Sequence, residues 1–267
     1  MECHRGKNHA KSRTGIAANY RQHFHVSVYK IDLMKKIFPI VLVILMAIVS
    51  CSNDDSTHSN PTTPIKSKLF RYLALGDSYT IGQSVCDTCR FPEQLKSQLK
   101  VTFPNDILSL KIIATTGWTT TNLISAINSQ NLFPDYDLVT LLIGVNNQYQ
   151  HKPFSLYETE FPEIVNKAIV LAKGDKTNVI VVSIPDYAFT PYGHGAANIT
   201  TEINQYNAFA ENYCLQNNIT FVNITDITQQ GLASPNLVAS DGLHPSALAY
   251  SLFVERLLPK AKISLEN

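Results

Sequence analysis

The 267 residues carry 22 Lys/Arg against 21 Asp/Glu, a formal charge of +1, and 45% of them are hydrophobic. Eight of the basic and two of the acidic residues fall within positions 1–51, so the rest has 14 basic and 19 acidic groups, a formal charge of −5. No clustered basic face is left for nucleic-acid binding, and about 200 residues remain for one domain with a sizeable core.

Residues 1–33 are basic and aperiodic, and read as a spurious upstream extension or a disordered arm. Residues 34–51 have the form of an export signal: Lys35 and Lys36, an apolar run from Ile37 to Val49, then Ser50 and Cys51. The apolar run falls short of the roughly 20 residues a membrane span needs, so cleavage is the expectation. Ile48-Val49-Ser50-Cys51 resembles a bacterial lipobox, which implies lipidation of Cys51 and attachment of an exported protein to the cell envelope. Residues 52–68 are polar at first and without periodicity, the composition of a flexible tether ahead of a domain spanning 69–267.

Apolar, β-branched runs at 70–75, 107–114, 138–143, 179–184 and 219–224 predict strands. Several are apolar throughout, as in strands covered on both faces. Helical patterns at 91–100, 121–129, 154–173, 200–217 and 246–260 alternate with them. Strands alternating with helices imply right-handed crossovers and a three-layer α/β/α sandwich of about five parallel strands. In such sheets chemistry collects outside the carboxyl ends of the strands.

The loops at those ends hold the reactive residues. Ser78 follows the first strand in Gly76-Asp77-Ser78-Tyr79, and a serine becomes a nucleophile only beside a base. Gly117 follows the second, where a glycine lets a backbone N–H approach a ligand. The third ends in Gly144-Val145-Asn146-Asn147, whose amides suit either an oxyanion or a turn. Asp241 and His244 stand three apart before the last helix, a spacing at which a carboxylate can fix an imidazole tautomer. Asp186 and His194 offer a second Asp/His pair of lower rank. No further His, Cys or carboxylate accompanies His244 at metal-ligand spacing. In an exported protein the Cys86/Cys89 spacing favours a short disulfide.

Taken in order, these four blocks closely resemble the SGNH (GDSL-type) hydrolases over about residues 69–259. The resemblance implies a flavodoxin-like sandwich, no cofactor, and a serine esterase working through an acyl-enzyme on short-chain acyl, O-acetyl carbohydrate or lysophospholipid esters. It implies Ser78 as nucleophile, His244 as base, Asp241 as its orienter, and an oxyanion hole of the Ser78 and Gly117 N–H groups with the Asn146 side chain. The chain departs from the family pattern at Tyr79, where leucine is usual, and at Asn147, where aspartate is usual, which puts local loop support in question. An α/β-hydrolase is disfavoured because Ser78 lacks a glycine two places later and follows the first strand. The alternative from another class is a lipid-anchored binding module of this fold without catalysis.

Overall fold

The computed structural model describes residues 66–266; the expected leader, lipidation site and most of the expected tether lie outside them. In chain order the elements are β1 (Leu69–Gly76), α1 (Ser78–Ile81), α2 (Phe91–Thr102), β2 (Ile107–Ala114), α3 (Thr120–Asn128), β3 (Leu138–Leu142) and α4 (Val145–Tyr149). They continue with α5 (Phe154–Leu171), β4 (Val179–Val182), α6 (Ala197–Asn217), β5 (Thr220–Val222), α7 (Thr225–Thr228) and α8 (Ala247–Glu266).

The five strands form one parallel sheet in the order β2-β1-β3-β4-β5. Helices α2 and α8 pack against each other on one face; α3, α5 and α6 cover the other. Central β3 and β4 are buried at every position, as two-sided coverage demands. Edge strand β2 instead alternates between exposed and part-buried residues along most of its length. Leu73, Leu75, Leu141 and Ile180 are fully buried in the sheet, and Tyr157, Phe161 and Phe253 bring ring surface from the helices on both sides.

The strand order fixes where a site can form. From β1 the chain crosses one way to β2 and then returns to the other side of β1 for β3, so the loops leaving β1 and β3 diverge and open a crevice between them. The predicted strands and long helices are present with ends shifted by a few residues. The largest extension is α8, which runs through Pro259 to Glu266 rather than stopping at 260.

Candidate active site

Ser78 opens α1 directly after β1. The turn is tight: a Cβ on Gly76 would stand 2.1 Å from Thr80 Oγ1 and 2.4 Å from the Leu142 carbonyl oxygen, so only glycine fits. Asp77 caps the helix, its Oδ1 accepting from the Tyr79 N–H at 3.0 Å. Among the described residues no hydrogen bond joins Ser78 Oγ to an imidazole, and such bonds often tighten only when substrate is bound.

Asp77 is fully buried. Burial pushes its carboxyl up to about 7, against the pull of hydrogen bonds from the Tyr79 N–H and the Asn146 amide. Since its folded pKa lies above the unfolded one, the stability it contributes is complete below pH about 4 and is lost as pH rises toward 7. Asp226 and Asp241 are shifted downward and act the opposite way, on the acid side of that window. Asp77→Asn is therefore expected to flatten the stability profile between pH 4 and 7, removing a change on the order of 4 kcal/mol. Thermal unfolding followed by circular dichroism at pH 4, 5.5, 7 and 8 checks this. An unchanged slope would show that Asp77 does not titrate in that range.

The β2–α3 loop brings Gly117 in at φ 85°, in the left-handed region. Among the described residues neither the Gly117 nor the Ser78 N–H is taken by a protein acceptor. Asn146 lies in α4, mostly buried, with Nδ2 donating to the Trp118 carbonyl at 3.0 Å and to Asp77 Oδ2 at 3.5 Å. Asn147, the departure that put loop support in question, supplies that support. Its Oδ1 accepts from the Thr120 N–H at 2.9 Å and its Nδ2 donates to Thr120 Oγ1 at 2.6 Å, tying α4 to the start of α3. An aspartate could make the first contact, but only an amide also donates without a shared proton.

On the loop before α8, Asp241 Oδ1 accepts from the Leu243 and His244 N–H groups, each at 3.0 Å. Asp241 Oδ2 lies 2.6 Å from His244 Nδ1 and accepts from Ser84 Oγ at 2.7 Å. Partial burial pushes the Asp241 carboxyl up. Hydrogen bonds from Ser84, from the His244 backbone and ring, and from Leu243 outweigh it and hold the group well below the usual carboxylate range. An ionised carboxylate only accepts, so Nδ1 carries the proton and Nε2 is left as an acceptor. The imidazole is buried against Tyr79, ring centroids 5.1 Å apart, so the tyrosine at this position shelves the histidine.

Ser78, Gly117, Asn146 and His244 line one cleft of about 200 Å³, walled on the far side by Tyr149, Tyr187 and Tyr192. Tyr187 is buried and its hydroxyl donates to Gln148 Oε1 at 2.9 Å, while Tyr149 and Tyr192 are about half exposed and share a 2.7 Å hydroxyl contact. Of the other aromatic residues in or near these loops, Phe91 belongs to the core, Trp118 packs at its edge, and Phe189 does not line the cleft. Asp186 is a structural residue: fully buried, it caps a turn through the Ala188 N–H at 3.1 Å and accepts from Gln229 at 3.2 Å. His194 lines no part of the cleft. A larger depression at the opposite end of the sheet, lined by Lys68, Asp137 and Lys173 among others, includes Ser67 and Ser264 but no histidine to act as their base. Among the described residues no group of three or more His, Cys, Asp or Glu could hold a metal.

Two contacts at the site have no sequence motif. Ser84 donates to Asp241 across 157 positions, and Thr116 Oγ1 donates to Gln83 Oε1 at 2.7 Å. Cys86 and Cys89 are joined by a disulfide in the same loop.

The model of the GDSL-like lipase/acylhydrolase family matches residues 74–252, from the end of β1 into α8. Comparison with curated protein sequences finds no match. Among solved structures, the chain is similar to an acetylxylan esterase from Geobacillus stearothermophilus, with 18% identity and a TM-score of 0.58 over 73% of this chain and 95% of that one. It is similar to a lipase from a goat rumen metagenome at 17% identity and TM-score 0.59, covering 72% of this chain and 97% of that one. A lipase/acylhydrolase from Enterococcus faecalis gives 17% and 0.57 over 73% and 95%. At such identities the solved structures speak for the fold, and the family match speaks for the chemistry. With the matched segment running through every loop that forms the cleft, the chain belongs to the GDSL-like lipase/acylhydrolase family and is a carboxylic ester hydrolase.

Proposed function

We propose that the protein removes short acyl groups from carbohydrate-type alcohols through an acyl-enzyme on Ser78. The observation that carries this is the single small cleft where Ser78, the Asp241–His244 pair and the donors of Gly117 and Asn146 meet. His244 Nε2 takes the proton from Ser78 Oγ as that oxygen bonds to the ester carbonyl carbon. The resulting oxyanion is met by the Ser78 and Gly117 N–H groups and the Asn146 amide. The C–O bond to the alcohol breaks, and the alcohol leaves with the proton held on His244. Water, deprotonated by the same nitrogen, then attacks the acyl carbon and frees Ser78 and a carboxylic acid.

Cleft size supports a short acyl group. About 200 Å³ is below the roughly 300–1,000 Å³ typical of sites for drug-sized ligands, and a long acyl chain needs a trough. Tyr149 and Tyr192, side by side with ring planes inclined by 53° and half exposed at the cleft, offer aromatic, amphipathic surface suited to a sugar ring. One similar structure is an acetylxylan esterase by name. The test is a substrate panel: aryl acetate, butyrate, octanoate and decanoate, acetylated xylo-oligosaccharides, and a lysophospholipid. Turnover is expected to fall steeply beyond butyrate and to extend to the acetylated sugar. Fastest turnover of the lysophospholipid would overturn the substrate assignment. A fluorophosphonate that labels the wild type and Ser78→Ala equally would overturn the nucleophile.

A further inference from the structure

We propose that Ser84 is a positioning residue for Asp241, holding the carboxylate in the orientation that aligns His244. This rests on the reading of Asp241 and His244 given above. Ser84 Oγ and His244 Nδ1 share one acceptor, Asp241 Oδ2, at 2.7 and 2.6 Å, while Oδ1 is held by two backbone N–H groups. The carboxylate is thus gripped at both oxygens from two sides, its own loop and the loop after α1. Without Ser84, only its own loop and the imidazole fix it.

The backbone at Ser84 supports a role beyond filling a turn. Its φ is +66°, a region that favours glycine and, among other residues, asparagine, yet a serine stands there with its hydroxyl on the carboxylate. The loop is held for the purpose at both ends. The Gln83 N–H bonds the Ser78 carbonyl at 3.0 Å, fastening the loop to the nucleophile's own helix. The Cys86–Cys89 disulfide follows, and the Arg90 guanidinium reaches back to the Ile81 carbonyl at 3.3 Å. Next to Ser84, Gln83 receives the Thr116 hydroxyl, so two successive residues brace the loop of Gly117 and the loop of Asp241.

Tyr79 packs against the His244 imidazole, Tyr250 lies within electrostatic reach of Asp241, and Tyr187 lines the cleft with His244; among the described residues no lysine or arginine pairs with Asp241. Loss of the Ser84 donor makes the carboxylate more basic, so it holds an imidazolium more tightly. In the purified protein, Ser84→Ala and Ser84→Gly are both expected to lower kcat about tenfold with little change in KM, and to move the acid limb of kcat/KM up by about half a unit. Glycine relaxes the strained backbone while removing the same hydroxyl, so loss in both variants separates the hydroxyl from the turn. Ser84→Asn, which tolerates this φ and keeps a donor, is expected to recover part of the rate. Asp77 makes no hydrogen bond to Ser84, so a limb set by Asp77 would stay in place. An unmoved limb with full kcat in both Ser84→Ala and Ser84→Gly, in an enzyme that still depends on Ser78 and His244, overturns the positioning role alone. Independence from Ser78 and His244 would overturn the underlying reading instead.

Discussion

Ser78→Ala and His244→Ala are each expected to lower kcat on an aryl acetate by about 10⁵, and the double variant to lose no more than either single one. The reason is that the two side chains act as one unit. A serine hydroxyl without a proton acceptor is a weak nucleophile, and a base beside alanine has nothing to activate. Once one is gone, the other has no remaining role in forming the acyl-enzyme. What survives comes from the donors of the oxyanion site and from holding the ester in place. The check is single-turnover and steady-state kinetics on all three variants, with circular dichroism to confirm that they fold. Additive losses, or turnover in either single variant near the wild-type rate, would remove this pair from the mechanism.

The second large effect is expected at Asn146. Asn146→Ala should lower kcat about 10²–10³-fold and leave KM within a few fold, because an oxyanion donor acts chiefly in the transition state. Asn146 Nδ2 now bonds the Trp118 carbonyl at 3.0 Å and lies 3.5 Å from Asp77 Oδ2. These contacts aim the amide along the cleft wall, and the longer one is the more easily exchanged for an oxyanion. A KM that rises in step with the fall in kcat/KM, at constant kcat, would mean Asn146 binds substrate and does not stabilise the oxyanion.

Much of this architecture is legible in the sequence because parallel strands write themselves as apolar runs. β3 and β4, buried at each position, have no polar residue except Thr140, whose hydroxyl pairs with Tyr72 at 2.9 Å. Ser78, Gly117, Asn146 and His244 were legible for a related reason, the first three following strand ends and the last preceding the final helix, all at the cleft end of the sheet. The short helices α1 and α4 were not. They have four and five residues, too few for a 3.6-residue period to repeat, and are fixed by the glycines before them and by tertiary packing. The last turns of α8, past Lys260, were not legible either, although Leu257, Ala261 and Leu265 keep the spacing of one buried helical face. Ser84 carries no local signal, since its partner stands 157 residues away.

β1 begins at the pole opposite the cleft, and α8 starts beside His244 and runs about 30 Å back to that same pole. Lys66 and Leu265 accordingly line one depression there. A reporter domain, an affinity tag or a solid support coupled at either end of the described chain attaches at the back of the domain and leaves the cleft facing outward. The nearness of the two ends also marks the molecule as a candidate for circular permutation, with new ends cut into an exposed loop away from the crevice.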